Sequence, residues 1–360
     1  MNVGDLLKRT GLVAGVAAGV VGAVYAGGRA VVARLRHGDD PDTDATLLPL
    51  IDATELIESH DGGLLYTISR GEGTPIVFAH GVTLSSRVWA KQFDSIPDAG
   101  FRAVAFDSRG HGESTIGESG HSVDNLADDV RSVLEALDLR DVILVGHSMG
   151  GMAVQAFVIR HPDIARERVR GLVLQSTAAR NLVSDARRVR GLAERATSFA
   201  PDLGALMRQR NLGFLLARIG FGNDPHASHV EATRQMLGAC SQETIRDAGK
   251  ALLALDLTGG LPSIKLPTLV LVGTADALTP PRDSRQIAEL IPGARLIEFK
   301  GAGHMLMYER TEEIDALIVE FARECLAARP APTIEPPNGA LPPVAEPTET
   351  PESSTAASAG

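Results

Sequence analysis

The sequence predicts an α/β fold, a mostly parallel sheet with helices on both faces, and three observations carry that expectation. Short apolar runs alternate with longer helix-like segments over 55–179 and again over 267–328. Strands separated by helices form parallel sheets covered on both sides. Between these stretches, 180–266 interrupts the rhythm with 87 residues of largely helical pattern, too long for a loop and suited to a helical cap. The third observation is Val142-Ile143-Leu144-Val145 running straight into Gly146-His147-Ser148-Met149-Gly150-Gly151. A fully apolar strand that breaks at Gly-x-Ser-x-Gly into a helix is the setting of a nucleophile elbow.

Taken in order, the folded part begins near Glu55. Strands are expected over 64–69 and 75–79, separated by the turn Arg70-Gly71-Glu72-Gly73-Thr74. A helix near 87–96, a strand over 102–106 and a helix near 123–137 lead to the elbow strand, its helix over 152–160, and a strand over 171–174. After the cap come a strand over 268–272, a helix over 281–290, a strand over 295–299 and a last helix over 312–327. Sheets of this kind hold their sites at the carboxyl ends of the strands.

Both ends of the chain read differently. From Thr10 to Gly28 there are nineteen uncharged residues, mostly Ala, Gly and Val, between Lys8-Arg9 and Arg29. As a helix this segment would span about 28 Å, close to a bilayer core, and Gly11, Gly15 and Gly19 form a small-xxx-small face. The N-terminal segment 1–36 is therefore read as a single membrane anchor, a transmembrane helix giving a membrane-associated protein. A cleaved secretory signal and a plain N-terminal arm, hence a secreted or cytoplasmic protein, are the alternatives. The side of the membrane is left open by nearly balanced flanking charge. Residues 37–54, acidic and turn-rich, read as a linker, and 329–360, rich in Pro and without aromatics, as a disordered tail.

Composition narrows the function. A net charge of −10 over 360 residues argues against a nucleic-acid surface. Cys240 and Cys325, the two cysteines, are far apart and without metal-type spacing, so they read as free thiols. His226 and His229 lack further ligands around them, so no metal is expected there.

The chemistry centres on Ser148. A serine hydroxyl is a weak nucleophile and needs a base, itself oriented by a carboxylate. His304, in Gly301-Ala302-Gly303-His304, follows the strand 295–299; Asp276, in Gly273-Thr274-Ala275-Asp276, follows the strand 268–272. Both fall at carboxyl ends, and Ser, Asp, His is the chain order that suits an elbow. Asp283 is the nearest competing carboxylate but falls inside the next helix. An oxyanion needs two prepositioned donors; these are assigned to the backbone N–H groups of Met149, after the nucleophile, and Val82, in the loop after strand 75–79. His80 is expected to brace that loop, Asp107 and Arg109 to hold the turn 107–114, and His147 to border the pocket.

Together, His80-Gly81, Asp107-Ser108-Arg109-Gly110-His111-Gly112-Glu113-Ser114, Gly146-His147-Ser148-Met149-Gly150-Gly151, Asp276 with Thr279-Pro280, and Gly303-His304 make the chain resemble the α/β-hydrolase fold family, in its capped serine esterase/lipase group. The resemblance covers about 55–328. It implies an eight-stranded sheet whose second strand is antiparallel, a cap between the sixth and seventh strands, and no metal or cofactor. A serine at 148 disfavours the epoxide hydrolases and haloalkane dehalogenases, which use an aspartate; His80-Gly81-Val82-Thr83 departs from the His-Gly-Gly-Gly of one lipase branch. The expected activity is cleavage of a carboxylic ester of a small, lipophilic molecule through Ser148, His304 and Asp276. A cofactor-free haloperoxidase or perhydrolase, a carbon–carbon bond hydrolase, and a non-catalytic binding protein are the alternatives.

Overall fold

The computed structural model describes residues 32–33, 40–42, 47–180 and 202–328. Eight strands form one sheet in the order β1-β2-β4-β3-β5-β6-β7-β8: β1 Ala53–Glu58, β2 Leu64–Arg70, β3 Thr74–Ala79, β4 Phe101–Phe106, β5 Val142–His147, β6 Val169–Gln175, β7 Thr268–Gly273 and β8 Arg295–Phe299. β2 runs antiparallel to both of its neighbours, β1 and β4, and the remaining pairs are parallel. This is the expected fold class.

The central strands read as unbroken apolar runs because both faces are covered. Side chains alternate across a strand, so Ile76 and Phe78 of β3 join one apolar cluster with Trp89, Phe93 and Phe321, while Val77 and Ala79 join the other with Leu144, Val133 and Phe157. In the first half of the chain the helices beside the sheet are α1 Ala90–Asp98, α2 Val123–Ala136, α3 Met149–Arg160 and α4 Pro162–Arg168. Ser122 caps α2 by accepting from Asn125 N at 3.0 Å.

Between β6 and β7 the described residues hold α5 Leu203–Arg208, α6 Arg210–Ala217, α7 Ala227–Ala239 and α8 Gln242–Leu253. After β7 come α9 Pro281–Leu290, the short α10 Leu306–Glu309 and α11 Thr311–Ala327. Part of the stretch read as a linker is fastened to the helical insertion: Asp40 accepts from Ser228 N and Ser228 Oγ, at 2.8 and 2.9 Å, and Asp42 pairs with His229 Nε2 at 2.8 Å and with Lys91 of α1.

The expected membrane placement is corrected. Among the described residues no helix is long and apolar enough to cross a membrane, and the segment from Thr10 to Gly28 lies outside them, as do 181–201 and 329–360. Length was the main support for an anchor, and much of that length is Gly and Ala, which gain little on leaving water compared with larger apolar side chains. The transmembrane helix, the membrane association and the membrane-associated location drawn from them do not stand.

The turn 107–114 is held as expected. Arg109, 1% exposed, donates through Nε and Nη2 to both carboxylate oxygens of Asp129, each at 2.7 Å, and through Nη1 to Asp61 at 2.9 Å and Gly120 O at 2.7 Å. Burial alone would raise the Asp61 pKa, but the guanidinium beside it outweighs this and brings it to about 2. Removing the cation would leave two carboxylates uncompensated, so Arg109→Met is expected to cost about 3–5 kcal/mol of unfolding free energy. Urea denaturation at pH 7 measures this. In the wild type the Asp61 contribution is complete above about pH 4, the unfolded value, and is lost as pH falls through about 2.

Candidate active site

Ser148 stands between β5 and α3 with φ 52° and ψ −116°, a backbone region normally left to glycine. The strain is held in place by neighbours: Ser148 N donates to Gln175 O at 3.1 Å, and Thr177 Oγ1 donates to Ser148 O at 2.7 Å. The flanking glycines are required sterically. A Cβ on Gly146 would lie 2.6 Å from Gly151 Cα, and one on Gly150 would lie 2.2 Å from Ala79 O. The turn therefore packs directly on its helix and on β3.

Asp276 and His304 come together although 28 residues separate them. Their loops follow adjacent strands, β7 and β8. Asp276 Oδ2 lies 2.9 Å from His304 Nδ1, and its Oδ1 accepts from the backbone N–H groups of Leu278 and Thr279, each at 2.9 Å. Burial raises the Asp276 pKa, yet His304 and these N–H groups outweigh it and the net direction is down. An ionised carboxylate only accepts hydrogen bonds, so Nδ1 carries a proton, and in the neutral imidazole the lone pair is on Nε2. Thr279 adds a bond that sequence reasoning did not resolve. Its hydroxyl donates to Asp276 Oδ2 at 2.9 Å, and its oxygen sits 3.1 Å from His304 Nδ1. The competing carboxylate, Asp283, lies in the first turn of α9, where burial raises its pKa and its Oδ2 has no hydrogen-bond partner among the described residues.

Ser148, His304, Val82 and Gly81 all line one cavity of about 550 Å³. Its walls are apolar, with Leu84 and Met152 from the sheet domain and Met207, Leu216, Leu237 and Leu252 from the helical insertion. Asp276 is behind His304, away from the cavity lining. Met149 is fully buried and does not line the cavity; as the first residue of α3 its N–H has no intrahelical partner. The helix dipole also directs positive potential toward this end.

The histidines around the site divide by role. His80 is buried, which lowers its pKa to about 4. Ser108 N donates to its Nε2 at 2.9 Å, so its Nδ1 carries the proton and donates to Gly81 O at 2.7 Å. It is the expected brace, joining the loop after β3 to the loop after β4. His147 lines the cavity and is fully buried; burial, followed by the nearby His304, holds its pKa well below the ordinary value. A neutral His147 donates from Nε2 to His304 O at 3.0 Å, so the elbow's second residue holds the backbone of His304.

With this geometry in hand, comparison with known proteins is direct. A family model described as alpha/beta hydrolase fold matches residues 74–311. The chain is 33% identical over 258 residues to a bifunctional esterase/perhydrolase of Acinetobacter calcoaceticus, covering 69% of this chain and 91% of that one. It is 32% identical over 256 residues to a non-heme chloroperoxidase of Kitasatospora aureofaciens, covering 68% and 90%. Among solved structures, a thermophilic esterase from Thermogutta terrifontis superposes with a TM-score of 0.64 at 29% identity, over 76% of this chain and 99% of that one. The chain belongs to the α/β-hydrolase fold family and is an enzyme.

Proposed function

We propose that the chain is a serine hydrolase that cleaves carboxylic esters of lipophilic small molecules through an acyl-enzyme intermediate. The observation that carries this reading is the Asp276–His304 hydrogen bond behind an apolar cavity that Ser148 and His304 both line. Ser148 Oγ attacks the acyl carbon while His304 Nε2 takes its proton. Asp276 holds the imidazole tautomer and stabilises the imidazolium. The N–H groups of Val82 and Met149 receive the oxyanion, each worth about 3–4 kcal/mol to the transition state. His304 returns the proton to the leaving alcohol, then activates water to release the acid.

A second reading is supported by the named activities of the relatives. In a perhydrolase the same acyl-enzyme, formed from a carboxylic acid with loss of water, is attacked by hydrogen peroxide and released as a peracid. Labelling with a fluorophosphonate probe, alongside turnover of ester substrates of increasing acyl length, tests the main reading. Wild type is expected to be labelled and to prefer acyl chains beyond acetyl, and Ser148→Ala to lose both labelling and turnover. Absence of labelling in wild type would sink the serine-hydrolase reading. Peracid formation from acetate and peroxide exceeding ester turnover would favour the second.

A further inference from the structure

The base of this site sits on a loop whose backbone is held from three directions. His304 N donates to Gly220 O at 2.8 Å, and His304 O accepts from His147. The third hold is a carboxylate outside the chemistry described above. Glu309, the last residue of α10, accepts from Gly303 N with both oxygens at 3.0 Å, from Met305 N at 3.2 Å through Oε1, and from Gly222 N at 2.7 Å through Oε2. Gly303 and Met305 are the residues on either side of His304. Gly222 belongs to the helical insertion.

The two backbone segments that meet here are in contact without side chains between them. A Cβ on Gly222 would lie 2.1 Å from Gly301 O, and one on Gly303 would lie 2.3 Å from Gly222 N. Asn223 N also donates to Gly301 O at 2.9 Å. Such close approach leaves N–H groups facing inward, and buried donors need an acceptor. One carboxylate supplies it for three of them.

We propose that Glu309 is the positioning residue for His304: its carboxylate holds the N–H groups of the two residues on either side of the base and ties them to the insertion that walls the cavity. The inference rests on the ester-hydrolase reading of the site. Glu309 never reaches substrate and acts through the backbone, setting where Nε2 stands relative to Ser148. Charged hydrogen bonds of this kind are stronger than neutral ones. Burial raises the Glu309 pKa, opposed by these three N–H donors and by Arg310.

The test compares Glu309→Ala, Glu309→Gln and wild type, first establishing that wild-type ester turnover is lost in Ser148→Ala. Glu309→Ala is expected to lower kcat about 10- to 100-fold with KM within about threefold, as misplacement of a catalytic group does. Glu309→Gln keeps an oxygen where Oε1 accepts from both flanking N–H groups, so it is expected to recover most of the lost kcat. A purely structural role predicts instead that kcat falls only with the folded fraction measured by circular dichroism.

Hydrogen exchange of peptides spanning 218–224 and 300–306 reads the same contact without turnover. Both are expected to exchange about tenfold or more faster in Glu309→Ala as local opening becomes easier. Folded Glu309→Ala with wild-type kcat, or with unchanged exchange in both peptides, overturns the proposal. If Glu309→Ala does not fold, Glu309→Gln decides by exchange at 218–224, where its amide faces the Gly222 N–H. Turnover that survives Ser148→Ala would defeat the ester reading, while turnover that needs Ser148 and ignores Glu309 defeats this inference alone.

Discussion

Replacing Asp276 with Asn is expected to lower kcat about 10⁴-fold while leaving the fold intact, the scale seen when a triad carboxylate loses its charge and the histidine its tautomer. The geometry dictates which way the new amide turns. Oδ1 of Asp276 accepts from Leu278 N and Thr279 N, so the amide oxygen of Asn must occupy that side. Its NH₂ group then faces His304 Nδ1, 2.9 Å away in the wild type, and Thr279 Oγ1. Nδ1 must now accept, which moves the proton to Nε2, and an Nε2 bearing hydrogen has no lone pair for the Ser148 proton. Steady-state kinetics with a short-chain ester measures the loss; a drop below about tenfold would exclude this role for Asp276. Stability adds a second signature. Because the folded pKa of Asp276 is depressed, its carboxylate stabilises the fold above about pH 4, the unfolded value, and this is lost as pH falls through the folded value.

Gly150→Ala is expected to be strongly destabilising, although it adds one methyl group. The new Cβ would lie 2.2 Å from Ala79 O, 2.5 Å from Ala79 C and 2.7 Å from His80 O. All three are backbone atoms at the end of β3, held by pairing with β4 and β5. No side chain is available to rotate away. The expected cost is about 3 kcal/mol or more, at the upper end of overpacking effects. Gly249→Ala is the control, since this glycine of α8 has nothing within 4 Å of its would-be Cβ among the described residues. Alanine there is expected to be neutral or to stabilise by up to about 1 kcal/mol. Soluble yield and thermal melting of the two variants, side by side, separate close backbone approach from any general intolerance of alanine.

The contrast between these positions shows what the sequence exposed. Strands buried on both faces must be apolar at every position, so β3, β5, β6 and β7 were visible as continuous runs. β1 was not visible as a strand of its own. It is an edge strand with Ile57 as its one buried residue, and residue-level reading found no alternation there to recognise. The candidate site at the ends of β5, β7 and β8 was legible because strand ends, glycines and chain order agree on Ser148, Asp276 and His304. Glu309 and the bonding role of Thr279, which was named only within a matching motif, were not, for a physical reason. Their hydrogen bonds run to Asp276 and His304 or to backbone N–H groups, and residue types alone do not announce such bonds. The attachment of Asp40 and Asp42 to α7 and α1 was hidden in the same way, since acidic residues in a turn-rich stretch look solvated until their partners are placed.

Ser148 itself has one more consequence. Its φ of 52° with ψ of −116° is a conformation that costs a residue with a Cβ about 1–3 kcal/mol. Glycine would occupy the same backbone without that cost, and would have no hydroxyl. Under the proposed mechanism durability and turnover are therefore opposed at a single position: the substitution that relieves this strain also removes the attacking hydroxyl. The fold thus carries strain at the proposed nucleophile, and a gain in thermal tolerance that keeps the proposed activity has to come from elsewhere in the chain.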